Sequence, residues 1–163
     1  TGTGLPRAGC YPPGMSDAVV VITGASRGIG AALAERLAGD GASVVLVARR
    51  AEALNEVRTR CGDAALAVAA DVTNRDDVAR IVDETLARFG HIDVWVNNAG
   101  LGITRPPSEL TDDDIDQMML VNVKSALYGV QAVLPHFQAR GQGHVINVSS
   151  QLGRVPIAVN CTR

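Results

Sequence analysis

An α/β domain built on a doubly wound parallel sheet is the fold this 163-residue sequence predicts, and three observations predict it. From Asp17 onward, short continuous apolar runs alternate with segments of helical periodicity, as in βα units whose strands are buried on both faces. Five apolar runs alternate in this way with four helical segments, and glycines punctuate the helix ends. A glycine-rich turn joins the first strand to the first helix, where such folds hold anions. The expected strand order is 3-2-1-4-5, which puts ligands at the carboxyl ends of strands 1 and 4.

Taken in order, residues 18–22 form an apolar run suited to a doubly covered strand, and 29–38 an Ala/Leu-rich helix closed by Gly39 and Gly41. Residues 43–48 read as the second strand, 50–60 as a helix ended by Gly62, and 65–70 as the third strand. The next helix opens on Thr73/Asn74 as N-cap and carries Asp76 and Asp77, where the helix dipole favours acids. Val78, Ile81, Val82, Leu86 and Phe89 then share one face before Gly90. Residues 92–96 are expected as the fourth strand, and 101–110, with Pro106-Pro107, as a loop. Thr111-Asp-Asp-Asp114 resembles a capping box opening a long helix to about Ala139, with Pro135 disturbing its last turn. Residues 140–143 turn the chain into a fifth strand over 144–149.

Composition narrows the function classes. A chain that is 47% hydrophobic and 20% charged suits one globular domain, here 15–163, after a Gly/Pro-rich stretch, 1–14, that reads as a disordered leader. The formal charge of −2 offers no basic field for nucleic acid or an anionic membrane. Cys10, Cys61 and Cys161 are scattered and form no Cys-x-x-Cys pair, so no disulfide framework or zinc site is expected. No signal peptide or membrane-length apolar run is present, and a cytoplasmic location is expected. His91, His136 and His144 lack ligand spacing and read as surface or capping residues, while Trp95 reads as core.

The glycine turn is Thr23-Gly-Ala-Ser-Arg-Gly-Ile-Gly30. Gly24 permits a tight turn, Gly28 allows a phosphate to approach closely, and Gly30 lets the helix pack closely on the sheet. The helix N-terminus then offers N–H donors and a positive dipole end to a pyrophosphate. The alternative is a plain strand-to-helix turn, which needs fewer glycines.

This octapeptide, together with Asn97-Asn-Ala-Gly100, resembles the short-chain dehydrogenase/reductase family over Val19 to about Pro156. The resemblance implies a Rossmann-type domain with five of the family's seven strands present, and hydride transfer between a nicotinamide and a carbonyl or alcohol. It implies cofactor contacts from Gly24, Ser26, Arg27, Gly28, Ile29 and Gly30, from Asn98, Ala99 and Gly100, and from Asp71-Val72 at the adenine. Without the family, Asp71 would read as a helix cap. Where NAD-binding folds present an acid after strand 2, this sequence has Ala48 followed by Arg49 and Arg50. An arginine fork there, with Arg27 opposite, favours NADP (NADPH) over NAD, the alternative being solvated surface charge.

By the same resemblance Ser150 orients the substrate oxygen and Asn122 holds a water of the proton relay. Ser150 is preferred to Ser149 because successive strand side chains face opposite ways; otherwise both serines satisfy backbone groups. Asn122 is polar on an otherwise apolar helix face and requires a buried partner. The family's general acid is the tyrosine of a Tyr-x-x-x-Lys pair, whose place by spacing is Arg163. Neither Tyr11 nor Tyr128 has a lysine four places on, and Lys124 is the only lysine. The chain is therefore expected to be an N-terminal portion truncated before that helix and inactive as it stands. A silent NADP-binding module and a non-folding fragment remain as alternatives, and a methyltransferase would leave Arg49 and residues 97–100 unexplained. Homo-oligomers are expected only of the full-length protein.

Overall fold

A computed structural model describes residues 16–150. The expected leader, the Arg163 position, Tyr11, Cys10 and Cys161 lie outside the described residues. Five parallel strands, β1 (Val19–Thr23), β2 (Ser43–Ala48), β3 (Ala65–Ala69), β4 (Val94–Asn97) and β5 (His144–Asn147), pair in the order β3-β2-β1-β4-β5, as the sequence predicts. Helices α1 (Gly28–Gly39) and α2 (Ala51–Cys61) cover one face. The other face is covered by α3 (Arg75–Phe89) and α5 (Ser125–Arg140), which continues from α4 (Asp112–Met119).

Alternation along the strands explains the unbroken apolar runs. Val20, Ile22, Val44, Leu46 and Val96 pack on Ala31, Ala34, Leu54 and Val57 of the first face. Val19, Val21, Val45, Val47 and Trp95 pack on Val78, Ile81, Val82, Val133 and Phe137 of the second. All five β1 residues are buried, and each such Val or Ile side chain contributes about 1.5–3 kcal/mol on leaving water. The α3 N-cap is Asn74, whose side chain accepts from the Asp76 and Asp77 N–H groups, so Asn74 and not Thr73 does the capping.

Four expectations are corrected. The long helix runs unbroken from Asp112 to Arg140, close to its expected span, but it is not α-helical throughout: a π-helical turn over Leu120–Lys124 lies between α4 and α5, with the Ser125 N–H bonded to the Leu120 carbonyl. Pro135 does not disturb the end, since α5 runs on to Arg140; Pro135 and Gln131, whose carbonyl loses its partner, are both exposed. Strand β5 stops at Asn147, so Ser149 and Ser150 lie beyond it and strand alternation does not choose between them. Strand β4 also starts at Val94 rather than Ile92, because the Ile92 N–H is taken by His136 Nε2 at 3.0 Å. The 101–110 loop holds a short 3-10 turn, Pro107–Glu109, and the expected capping box forms between Thr111 and Asp114.

Candidate active site

The glycine turn and the tip of β4 interlock at the carboxyl edge of the sheet. Thr23, 3% exposed at the end of β1, is the hinge of this contact. Its Oγ1 donates to the Val96 carbonyl (3.2 Å) and accepts from the N–H groups of Asn98 (2.9 Å) and Ala99 (3.0 Å). Asn98 Nδ2 returns a bond to the Thr23 carbonyl at 2.9 Å. Gly24, at φ +68, has no room for a side chain, since a Cβ would lie 2.8 Å from Ala99 Cα. A Cβ on Gly30 would come within 2.5 Å of the Gly24 carbonyl oxygen and 2.6 Å of Asn98 Nδ2. Gly30 thus closes the helix onto the turn and Asn98, more than onto the sheet as its spacing suggests.

Gly28 differs: it has φ +58, and a Cβ there would meet no described atom within 4 Å. Neighbouring Ile29 is 69% exposed. Arg27 is the α1 N-cap and supplies no side-chain cap, and the first turn holds no acid. That contrasts with α3 and α4, both of which are capped and open on acids. The α1 N-terminus therefore presents N–H groups and the positive dipole end without an intramolecular anion.

A backbone bond from Ala25 N to the Val47 carbonyl (3.1 Å) ties the turn to the end of β2, two residues before Arg49. Arg27, Arg49 and Arg50 are exposed, and none of them forms an ion pair among the described residues. Asp71 is not the helix cap that it reads as without the family, since Asn74 caps α3; it makes a local turn in which Oδ1 accepts from Thr73 N (2.9 Å) and Thr73 Oγ1 (2.7 Å). Its own N–H goes to Asp77 Oδ2 (2.8 Å). Val72 is half-buried against the α3 face of the core.

Asn122 lies in the π-helical turn and is exposed, not set against a buried partner as expected. Both ends of its amide clamp one residue: Oδ1 accepts from Leu101 N (2.7 Å) and Nδ2 donates to the Leu101 carbonyl (2.9 Å). It thereby holds the chain just after Gly100, where a Cβ would stand 3.4 Å from Asn122 Oδ1. Ser149 and Ser150 are exposed at the tip after β5, whose last residue, Asn147, pairs with Asn97 at the tip of β4.

Sequence reasoning missed the buried hub next to this edge. Asn97, 7% exposed, accepts from Trp95 Nε1 (2.8 Å) and donates to the Asn147 Oδ1 (2.9 Å) and the Ala126 carbonyl (3.3 Å). Gly129 lies against this hub, for a Cβ there would be 2.5 Å from Trp95 Nε1. The available signal was a lone glycine inside a helix, which costs stability unless something packs against it. The three histidines serve structure: besides the His136 bond to Ile92, His91 Nε2 lies 3.1 Å from Asp93 Oδ2, and His144 opens β5 at the surface.

A parallel sheet in this order, with a glycine turn at the β1–α1 switch point, defines a Rossmann-type nucleotide-binding domain. The chain belongs to the short chain dehydrogenase family, whose sequence model matches residues 18–162. It is 39% identical over 149 residues to an uncharacterized oxidoreductase of Staphylococcus epidermidis, covering 90% of this chain and 64% of that relative. Identity to an uncharacterized oxidoreductase of Listeria monocytogenes is 41% over 143 residues, covering 85% and 57% respectively. Among solved structures, a 3-ketoacyl-(acyl-carrier-protein) reductase from Brucella melitensis complexed with NADH superposes with a TM-score of 0.84 at 36% identity, covering 88% of this chain and 61% of that one. A metagenomic short-chain oxidoreductase in complex with NADP gives 0.80 at 40% identity, covering 88% and 67%. The chain thus spans less than two thirds of the length of the curated relatives named here. Among the described residues, no helix is long and apolar enough to cross a membrane.

Proposed function

We propose that this chain is the cofactor-binding portion of an NADP-dependent short-chain oxidoreductase, with NADPH preferred over NADH and a small carbonyl or alcohol as substrate. The observation that carries the reading is the uncapped α1 N-terminus beside Arg27 and Arg49, which form no ion pair among the described residues. Relatives solved with NADH and with NADP leave the choice of cofactor open, and Arg49 argues for the second. A pyrophosphate suits the N–H groups after Gly28, where φ +58 and open space permit close approach. The 2′-phosphate suits the guanidinium forks of Arg27 and Arg49. Ile29 offers an apolar wall, Asn98 to Gly100 the opposite wall, and Asp71 and Val72 the adenine end.

The cofactor, when bound, would donate hydride to a carbonyl or accept it from an alcohol. Ser150 then orients the substrate oxygen by hydrogen bonding. Asn122 acts on the loop: with its side chain bonded at both ends to Leu101, the water of a proton relay falls to its main-chain carbonyl. No Tyr-x-x-x-Lys occurs in the 163 residues, and an arginine, which stays protonated far above neutrality, exchanges no proton there. The 163-residue chain is expected to bind cofactor without turning over carbonyls.

Fluorescence titration tests the reading. NADPH should saturate at lower concentration than NADH, and Arg49→Asp should reverse the order, weakening NADPH by about tenfold or more as a charge-assisted fork is lost. Equal affinity for the two cofactors, unchanged by the substitution, would refute the assignment. Turnover of a broad set of ketones and aldehydes by this chain would refute its inactivity.

A further inference from the structure

We propose that Asn147 is a positioning residue for the serine tip, an inference that rests on the cofactor-crevice reading above. The indole N–H of Trp95 can only donate, so the amide atom of Asn97 facing it is the oxygen. That fixes the Asn97 amide, turns its NH2 toward Ala126 and Asn147, and makes the Asn147 amide oxygen an acceptor at 2.9 Å. The two asparagines are register partners, each the last residue of its strand. One residue on, the Val148 N–H donates to the Asn97 carbonyl at 2.9 Å. A side-chain bond and a backbone bond thus join the tip that carries Asn98–Gly100 to the tip that carries Ser149 and Ser150.

Asn97 has its amide oxygen on Trp95 and its amide nitrogen on Asn147, with Gly129 packed against it, so it is a rigid post. Asn98 and Ala99 are held separately by Thr23 on the other side of β4. Two independent supports follow from this division: Thr23 sets the cofactor wall, and the Asn97–Asn147 bridge sets where the substrate-orienting hydroxyl stands relative to it. Asn147 is itself exposed, so changing it leaves the packed core in place.

Amide hydrogen exchange on the 163-residue chain tests this. In Asn147→Ala, exchange at Val148 and onward through Ser150 is expected to quicken by about fivefold to tenfold, the worth of one lost hydrogen bond. Asn98 and Ala99 should keep their protection, and Asn147→Asp, which retains an acceptor oxygen, should restore the tip. NADPH titration of Asn147→Ala should shift half-saturation by less than about twofold, because the Thr23 support is intact. Uniform quickening across β4 and β5, no quickening at the tip, or failure of the aspartate to rescue would overturn the proposal. Absence of NADPH binding by the unsubstituted chain would instead overturn the cofactor reading, and the exchange pattern would still decide the role of Asn147.

Discussion

Thr23 illustrates how one hydroxyl can hold a site together. Two backbone N–H groups converge on its Oγ1 while its proton goes to Val96, so valine, of nearly the same shape, would take the acceptor away from two part-buried donors. Orphaned buried groups cost about 1–3 kcal/mol each. Chemical denaturation of Thr23→Val should therefore show a loss of about 3 kcal/mol, with weaker NADPH binding, and Thr23→Ser should recover most of both. A fully stable Thr23→Val would mean that residues 98 and 99 find other acceptors. The importance of Thr23 is hidden in the sequence, where it reads simply as the start of the glycine turn; its partners lie 73 to 76 positions away.

At the level of elements, the α4–α5 segment departs furthest from its sequence reading. Its periodic pattern suggests one α-helix, and the π-helical turn within it brings Asn122 to Leu101. Gly129 lets the following helix approach β4. By helix propensity, Gly129→Ala should gain about 1 kcal/mol. Here the added methyl would stand 2.5 Å from Trp95 Nε1 and 2.7 Å from Asn97 Oδ1. The clash outweighs the propensity: thermal melting should show a loss of about 1–3 kcal/mol, accompanied by a change in Trp95 emission. A stabilised Gly129→Ala with unaltered emission would contradict the packing described. Strand β2, by contrast, matches its expected span of 43–48, because a buried strand between two others announces itself by composition alone.

Across the whole molecule, hydrogen-bonded and paired carboxylates fasten the chain, Asp93 at the edge of the sheet opposite the site and Asp77 and Asp114 at helix starts. Burial pushes the Asp93 carboxyl up, but the Val19 N–H, the Arg140 guanidinium and His91 together outweigh it and hold the group below its ordinary value. The Asp71 N–H and then Arg80 lower Asp77, and Thr111, by its N–H and hydroxyl, lowers Asp114. In each case the folded chain binds protons less readily than the unfolded one, so stability increases with pH through the carboxylate range. The contribution is complete above the unfolded value of about 4 and is lost as pH falls through the depressed folded values. Melting temperatures should be level near neutrality and drop below about pH 4, with a shallower acid slope in Asp93→Asn. An identical slope in that variant would show that Asp93 contributes nothing to acid sensitivity.

What the sequence by itself determined is the order of the strands, the apolar face of α3 and the location of the glycine turn. These follow from local periodicity and from steric rules of chain connection, which act over a few residues at a time. Tertiary structure alone decided that Gly30 closes on Gly24 and Asn98, that Asn122 spends its side chain on Leu101, and that Asn97 joins Trp95 to Asn147. Those contacts are hydrogen bonds and close approaches between strand tips and helices far apart in the chain. Their geometry depends on strand register and on a π-helical turn within a long helix, and neither leaves a local periodic trace.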